Sequence, residues 1–457
     1  MSPRPARLDA APGSSTRLTT TTTTPDRDKP SPARSVEREG SGWTDRPGFV
    51  LTMARYYGTL AAARCLGRAG VPLIVADDRW FAPALWSRHV VQREHCPPAR
   101  DLDGLVDWLL AWGVRSPGHV LYATSDDLAW IFAERAAELR RDFRLLSPSF
   151  ETVGALLDKR SLYELCATAG LRTPRTWFPA HLDDVAQVER EATLPLIVKP
   201  RTQVLFTTMR KGSVLTTMRK MRGAYETFLN LNRHDPRILE RQPGVDWPMI
   251  QEFYAASDEP IYSLSGFADA SKGLFVVRGS RKLVQWPRQA GVGICFEDAP
   301  VSGSLADGLR RLCELAGYVG VFEAEFIRAS TDPRLIDFNP RFFGQMGFDV
   351  VRGLPGPLMV YLAATGDFAR LRATVEAARD WRPSGPMRFA NGTALAWTGL
   401  AERLVGHRPV DVGSDGVMVD FVVDRDDRLP GMLDSVQQVT GALRHARGTL
   451  LAAFRKD

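Results

Sequence analysis

The chain has 457 residues, of which 44% are hydrophobic and 25% charged, with a formal net charge of +6 at pH 7. This length predicts two or three domains or subdomains. Lys and Arg are spread along the chain without a long basic block, which argues against a nucleic-acid surface. There is no apolar run of roughly 18–20 residues to span a membrane and no apolar signal-peptide core, so we expect a cytoplasmic protein.

The first 46 residues are rich in Ser, Thr, Pro and Arg and offer almost nothing to bury, which predicts a disordered tail. An apolar strand at 48–53, a helix and a second strand at 71–77 then predict a β-α-β unit within an N-terminal domain at 47–148. No GxGxxG follows the first strand, so the dinucleotide fingerprint is missing. A later strand leads into Ser125, Asp126 and Asp127. The interpretation that we prefer for these residues is a helix N-cap, and the alternative is a ligand-binding role at the end of the strand.

A mixed, mostly antiparallel α+β region is predicted at 149–366, with a C-terminal extension of helices and one strand at 367–457. Lys159 stands at the junction of a helix–loop–helix, and Lys199 ends a strand just before a proline. The near repeat VLFTTMRK and VLTTMRK, residues 204–211 and 214–220, predicts a hairpin. A basic flap and a plain surface hairpin are equally good interpretations of it. The five cysteines form no CxxC pair and no zinc-like cluster, which predicts buried, reduced thiols.

The segment LIDFNPRFFGQ, residues 335–345, carries an acid, an amide and an arginine at alternate positions. Alternate residues share one face of a strand, so Asp337, Asn339 and Arg341 are expected to point together. A hairpin about Thr331 would set Glu325 directly opposite Asp337. Two carboxylates that face each other repel. We therefore expect that their repulsion is relieved only when a cation binds between them. Carboxylate and amide oxygens suit Mg²⁺, and an arginine fork suits phosphate; the alternative is an exposed face that keeps the chain soluble.

Four motifs in this order resemble the ATP-grasp superfamily: DK at 158–159, LIVKP at 196–200, IQEFY at 250–254, and EFI followed by LIDFNPRFFG. The chain is most similar to the carbamoyl-phosphate-synthase-like carboxylate–amine ligases. The resemblance covers residues 48–366. It implies an α/β plus α+β fold, in which ATP lies between two α+β subdomains behind an N-terminal β-α-β domain.

The resemblance also implies nucleotide-binding roles. Lys159 matches the family lysine that reaches the phosphates of ATP. Lys199 matches the family lysine that contacts ATP at its α-phosphate and on the adenine side. The backbone of Glu252 and Phe253 matches the hinge at the adenine edge, and Glu259 is a weaker match for the ribose-binding acid. The family usually has a glycine-rich lid where this chain has the Thr-Met-Arg-Lys repeat, whose basic residues are the expected substitute.

On the metal side, the resemblance implies that Glu325, Asp337 and Asn339 bind Mg²⁺, with Mn²⁺ as an alternative. Arg341 matches the arginine beside the reacting phosphate. Asp337 departs from the family, which more often has glutamate there. Arg288 lies where related ligases face the carboxylate substrate, although an exposed strand-end arginine is an equally good interpretation.

These implications predict an ATP-dependent ligase that joins a carboxylate to an amine through an acyl phosphate, with an amino acid or small peptide among its substrates. A homodimer is compatible with this prediction. One alternative is a regulatory nucleotide-binding protein with a degraded site. Another is a phosphotransferase, which would need a catalytic histidine, whereas the seven histidines are scattered.

Overall fold

The computed structural model describes residues 46–206, 212–231, 233–254, 259–286, 292–404, 412–413 and 416–453. Almost all of the predicted N-terminal tail, Arg288 and five residues of the Thr-Met-Arg-Lys repeat lie outside these ranges. The described chain contains one parallel sheet and two sheets of mainly antiparallel strands. Within it, no helix is both long and apolar enough to cross a membrane.

The N-terminal sheet is parallel, with the strand order β3-β2-β1-β4-β5. Its strands are β1 Phe49–Leu51, β2 Leu73–Asp77, β3 Val90–His95, β4 His119–Leu121 and β5 Phe143–Leu145. The helices that follow its strands are α1 Tyr57–Arg68, α2 Leu102–Arg115, α3 Asp126–Glu134 and α4 Ala136–Leu139. The predicted β-α-β unit is thus confirmed. Strands β1 and β2 are buried along their whole length, as their continuous apolar sequence requires in a covered parallel sheet.

A helix pair and a small antiparallel sheet come next, with the strand order β6-β9-β7-β8. The helices are α5 Phe150–Leu157, α6 Lys159–Ala169, α7 Leu182–Glu191, α8 Met221–Leu231 and α9 Pro236–Arg241. The strands are β6 Thr176–Trp177, β7 Leu196–Lys199, β8 Ser213–Leu215 and β9 Met249–Glu252. The positions predicted for Lys159, at the helix junction, and Lys199, at a strand end, are confirmed. Gly170 closes α6 in the left-handed conformation, with φ 75°.

The predicted hairpin between the two Thr-Met-Arg-Lys copies is only partly within the described residues. The second copy supplies β8, but the strand that pairs with β8 is β7. In the first copy, residues 204–205 form a turn and Phe206 makes an isolated bridge to His234, while residues 207–211 lie outside the described ranges. The described part of the first copy is therefore not a partner strand of the second.

The largest sheet has the strand order β14-β13-β10-β11-β12-β15-β16. Its strands are β10 Ile261–Asp269, β11 Leu274–Trp286, β12 Val292–Ala299, β13 Val319–Ile327, β14 Arg334–Asn339, β15 Met387–Ala390 and β16 Val417–Asp420. All neighbours are antiparallel except β15 and β16. Helix α10 Gly303–Leu315 connects β12 to β13. The last two strands come from the C-terminal region, so this region extends the same sheet.

The remaining helices lie after β14. They are α11 Met346–Val351, α12 Gly356–Thr365, α13 Phe368–Asp380, α14 Gly392–Leu404 and α15 Arg428–Ala453. Helices α11 and α12 share one buried apolar cluster with α1 and β1 of the parallel sheet. Phe342, just after β14, belongs to this cluster: its backbone N–H donates to the Ala123 carbonyl (3.1 Å), and its ring contacts Tyr122 and Phe49. This packing sets the end of β14 against the carboxyl edge of the parallel sheet.

Candidate active site

Lys159 is fixed at the start of α6 by the residue before it. The Asp158 side chain caps the helix and forms an ion pair with Arg201 (2.6 Å), and the backbone N–H of Lys159 donates to the Arg201 carbonyl (3.0 Å). The ammonium group of Lys159 forms an ion pair with Asp337 on β14. The helix junction therefore aims this lysine at the strand that the sequence singled out.

A cavity of about 110 Å³ brings five charged side chains together, one of which is Arg201. Its lining includes Lys159, Lys199, Asp126 and Asp337. Burial, together with the nearby charge of Lys159, lowers the pKa of Lys199 to about 8. Asp126 is paired with Arg341 (2.8 Å) and Arg201 with Asp158 (2.6 Å), so Lys159 and Lys199 share Asp337. The resulting local excess of positive charge suits a phosphate-bearing ligand.

The hairpin of β13 and β14 has the predicted register at Glu325 and Asp337, although the register shifts by one residue between this pair and the turn. Glu325 lies directly opposite Asp337, and Glu323 lies opposite Asn339. The expectation that only a bound cation relieves the repulsion is wrong, because each carboxylate already has a lysine. Lys282 on β11 forms an ion pair with Glu325 (2.7 Å), and Lys159 pairs with Asp337.

The pKa values of this group reflect those pairs. Burial raises the pKa of Asp337, but Lys159, Lys199 and Arg341 outweigh it and hold the pKa below its usual value. For Lys282, burial lowers the pKa, but the nearby carboxylates of Glu325 and Glu323 raise it by more. The pKa of Lys282 therefore lies above its usual value.

Glu323 is a buried carboxyl group that the sequence analysis did not select. It accepts from Ser263 Oγ (3.0 Å), from Asn339 Nδ2 (3.3 Å) and from the Gln345 amide. Burial, together with the charge of Glu325, raises its pKa to about 7. The elevated pKa therefore reflects burial first and the neighbouring carboxylate of Glu325 second.

Arg341 is locked at the edge of the parallel sheet. It forms an ion pair with Asp126 (2.8 Å) and donates to the Tyr56 hydroxyl (3.1 Å) and to Asn339 Oδ1 (3.0 Å). Despite burial, which lowers it, the pKa of Arg341 is raised by Asp126. Ser125 caps α3 as predicted, accepting from the Leu128 N–H (3.2 Å). Asp126 is thus both a first-turn residue of that helix and the partner of Arg341.

The segment matched to the adenine hinge lies at the end of β9. The backbone N–H of Glu252 donates to the Arg175 carbonyl (3.0 Å), and that of Phe253 donates to the Pro195 carbonyl (3.0 Å). An adenine edge at these two residues would therefore have to use their carbonyl groups. Glu259 accepts from the Ser330 N–H (2.8 Å) in the turn between β13 and β14, so the structure gives it a turn-stabilising contact.

The side chains matched to metal ligands have the donor chemistry that Mg²⁺ prefers. Glu325, Asp337 and Asn339 supply carboxylate and amide oxygens along one hairpin. The described residues contain no ready-made group of three or more His, Cys, Asp or Glu side chains for a metal. A cation would have to share these oxygens with the lysines or displace them.

The sequence did not identify three residues that contact the predicted site residues. They are Lys282, which pairs with Glu325, Tyr56, which accepts from Arg341, and Glu323, which accepts from Asn339. The alternation in FEAEFI puts Glu323 on the same strand face as Glu325, and this pattern could have identified it. Lys282 and Tyr56 carry no comparable motif, because they reach the site only through the pairing of β10 with β11 and the packing of α1.

No family model matches the sequence, and no curated protein matches it either. Solved structures do match. A biotin carboxylase from Campylobacter jejuni, in a complex with β,γ-ATP, superposes with a TM-score of 0.54 at 15% identity, over 75% of this chain and 74% of that one. An L-amino acid ligase from Bacillus licheniformis gives a TM-score of 0.53 at 15% identity, over 70% and 75%.

The chain has an ATP-grasp fold. The biotin carboxylase domain of Hydrogenobacter thermophilus 2-oxoglutarate carboxylase, in a complex with MgADP, ADP and bicarbonate, matches the same architecture with a TM-score of 0.52 at 13% identity, over 74% and 72%. The predicted fold is therefore confirmed. Lys159, Lys199 and Asp337 line one cavity, with Lys199 at the end of β7 in the small sheet and Asp337 on β14 in the large sheet.

Proposed function

We propose that the protein is an ATP-dependent carboxylate–amine ligase. The observation that carries this proposal is the shared cavity of Lys159, Lys199 and Asp337, with Glu325 opposite Asp337 on the next strand. The cavity offers ammonium groups for phosphates and, beside them, oxygen donors for a divalent cation. The matches to a biotin carboxylase and an L-amino acid ligase support the same reaction class.

In this proposal the γ-phosphoryl group of ATP is transferred to a substrate carboxylate, giving ADP and an acyl phosphate. The nitrogen of an amine then attacks the acyl carbon, phosphate leaves and the amine proton passes to solvent. Lys159 and Lys199 neutralise phosphate oxygens, and Arg341 holds the transferred group through its rigid fork of donors. When Lys159 binds phosphate, it releases Asp337 for a cation.

Glu325, Asp337 and Asn339 are the residues that would hold Mg²⁺, or Mn²⁺ in its place. The cation would supply charge neutralisation between the phosphates during transfer. The hinge at Glu252 and Phe253 and the acid Glu259 remain our candidates for the adenosine side. Arg288 remains our candidate for the substrate carboxylate. An amino acid or a small peptide is the substrate class we propose.

The same proposal assigns an N-terminal domain to residues 47–148, the ATP-grasp domain to 149–366 and an extension to 367–457. We place the protein in the cytoplasm. All five cysteines are free and buried, as predicted, which is compatible with a reducing compartment.

A hydroxylamine trap tests the reaction class. ADP release is screened against pooled amino acids and other carboxylic acids, with hydroxylamine replacing the amine. We expect the active pool to give ADP and a hydroxamate in equal amounts, and Asp337→Asn to give neither. ADP without hydroxamate would favour an ATPase or a phosphotransferase. Thermal stabilisation by Mg·ATP without turnover in any pool would favour a regulatory nucleotide-binding protein.

A further inference from the structure

Lys282 on β11 reaches across β10 to pair with Glu325 on β13. The distance from Lys282 Nζ to Glu325 Oε1 is 2.7 Å, and β10 lies between the two strands in the sheet. On this face, the positions level with Glu325 are Ser263 on β10 and Ser280 on β11, both buried. Because serine side chains are small, the stem of the lysine can cross them. The ammonium group therefore lies against a carboxylate that the hairpin would offer to a cation.

This pair is more enclosed than the pair of Lys159 with Asp337. The Lys282 and Glu325 side chains are 11 and 16% exposed, whereas Asp337 is 39% exposed. Lys159 and Asp337 line the cavity of about 110 Å³, and Lys282 and Glu325 are not among the described residues that line it. A phosphate in this cavity can draw Lys159 away from Asp337, but the cavity gives it no such access to Lys282. We therefore expect the pair of Lys282 and Glu325 to persist when nucleotide binds.

The remaining oxygens of the hairpin face suit one divalent cation. Lys282 occupies Oε1 of Glu325 and leaves Oε2. Asn339 supplies an amide oxygen, and Asp337 supplies its carboxylate once Lys159 binds phosphate. Mg²⁺ is usually bound through one or two carboxylates together with phosphates and water. These groups therefore provide for one such cation.

A second divalent cation beside Glu325 would have no free carboxylate and would meet a like charge. Glu323, the next acid on this face, is 4% exposed, and three hydrogen-bond donors engage both of its oxygens. Like charges repel more strongly where water is excluded, and Lys282 and Glu325 are both largely buried. The lysine thus already supplies the positive charge that a cation would bring to this end of the hairpin.

Phosphoryl-transfer sites hold one or two divalent cations, which neutralise the charge on the phosphates. We propose that the ammonium group of Lys282 takes the place of a second cation, so that this site holds one divalent cation with each ATP. This role rests on the proposed function, because it concerns the cation that accompanies ATP there. Lys282 acts by its charge alone and stays on Oε1 of Glu325, which leaves Oε2 for the single cation.

Equilibrium dialysis with Mn²⁺ and a non-hydrolysable ATP analogue counts the cations without any turnover. The full chain is saturated with both, and bound Mn²⁺ is measured against bound nucleotide. We expect one Mn²⁺ per nucleotide for the wild type and for Lys282→Arg, which keeps the charge. Lys282→Met removes the charge and frees Glu325, so we expect two. The matched control is Lys272→Met, because Lys272 lies between β10 and β11 over the Phe368 ring and should leave the ratio at one.

A second variant covers the case in which Lys282→Met does not fold. Lys282→Gln keeps a hydrogen-bond donor for Glu325 without the charge, and we expect a ratio of two for it as well. A ratio of two in the wild type, or of one in a neutral variant that folds, would overturn the proposal and leave the proposed nucleotide site intact. Nucleotide bound with no Mn²⁺ at all would overturn the cation site of the proposed function together with it.

Discussion

Glu325 and Asp337 lie directly opposite each other on β13 and β14, and each is neutralised by a lysine from a different part of the chain. Lys282 reaches Glu325 from β11, and Lys159 reaches Asp337 from the start of α6. The two carboxylates that would bind a cation are therefore held in place before the cation arrives. A cation would have to share these oxygens with the lysines or displace them, and the stability of the ligand-free protein depends on the lysine pairs.

Asp337→Asn should lower the stability of the ligand-free protein. The substitution leaves the ammonium group of Lys159, which is 14% exposed, without its carboxylate. We expect a loss of about 1–3 kcal/mol, less than for a fully buried pair because Asp337 is 39% exposed. Urea unfolding measures the loss, and the double variant with Lys159→Met should lose less than the sum of the two single changes. Strictly additive losses would show that the pair does not interact.

The same variant separates a metal site from a purely structural pair. Mg·ATP should raise the melting temperature of the wild type more than ATP with a chelator does, because a ligand that binds the native state stabilises it. Asp337→Asn should abolish this difference. A normal response to Mg·ATP in the variant would remove Asp337 from the cation site.

ATP affinity should fall as the pH rises through about 8. The ammonium form of Lys199 is the one that attracts phosphate, and its pKa is lowered to about 8. Above that pH, binding must take up a proton, so the Kd should rise by up to about tenfold per pH unit. Calorimetry in two buffers of different ionisation heat measures the proton uptake. Lys199→Arg, whose charge does not titrate in this range, should flatten the profile.

A rise in pH weakens the binding of ATP through Lys199, but through the same residue it favours the folded state of the ligand-free chain. Its folded pKa lies below the ordinary value of 10.5, so the unfolded chain binds more protons between pH 8 and 10.5. This group alone therefore makes unfolding less favourable as the pH rises through that window. The wild type should lose less stability across this range than Lys199→Arg does.

Asp126→Asn should lower kcat more than it raises the KM for ATP. Asp126 holds the Arg341 guanidinium through an ion pair of 2.8 Å. Under the proposed role of Arg341, a small displacement of that group would misplace the phosphoryl group. We expect a decrease in kcat of about 10–100-fold. Asp103→Asn, which changes an exposed partner of Arg237, is the control and should be near wild type. Equal kcat values for the two variants would contradict the positioning role.

Arg352→Met should destabilise the protein far from the nucleotide cleft. Arg352 is fully buried and pairs with Asp349 and Asp298 at 2.5 Å each. Its loss leaves the buried carboxylate of Asp349 uncompensated, and we expect a cost of about 3–5 kcal/mol. Arg310→Met, which breaks only exposed pairs on α10, should cost less than about 1 kcal/mol. Urea unfolding of both variants compares them.

The sequence by itself determined the local features of this protein. Apolar runs and closing residues located the β-α-β unit, the α5–α6 junction and the strand end at Lys199, because these depend on neighbouring residues in the chain. The alternation in FEAEFI and LIDFNP also determined the register that sets Glu325 opposite Asp337, since a side-chain period of two leaves little freedom once one face is buried.

Only the tertiary structure decided how those carboxylates are neutralised. Lys282, Lys159, Asp126 and Tyr56 come from separate elements and meet the hairpin through sheet pairing and core packing, which no local pattern records. The same is true of β15 and β16, which join the large sheet. Charges that meet across long separations are set by the whole fold, because electrostatic energy depends on distance and burial in space rather than along the chain.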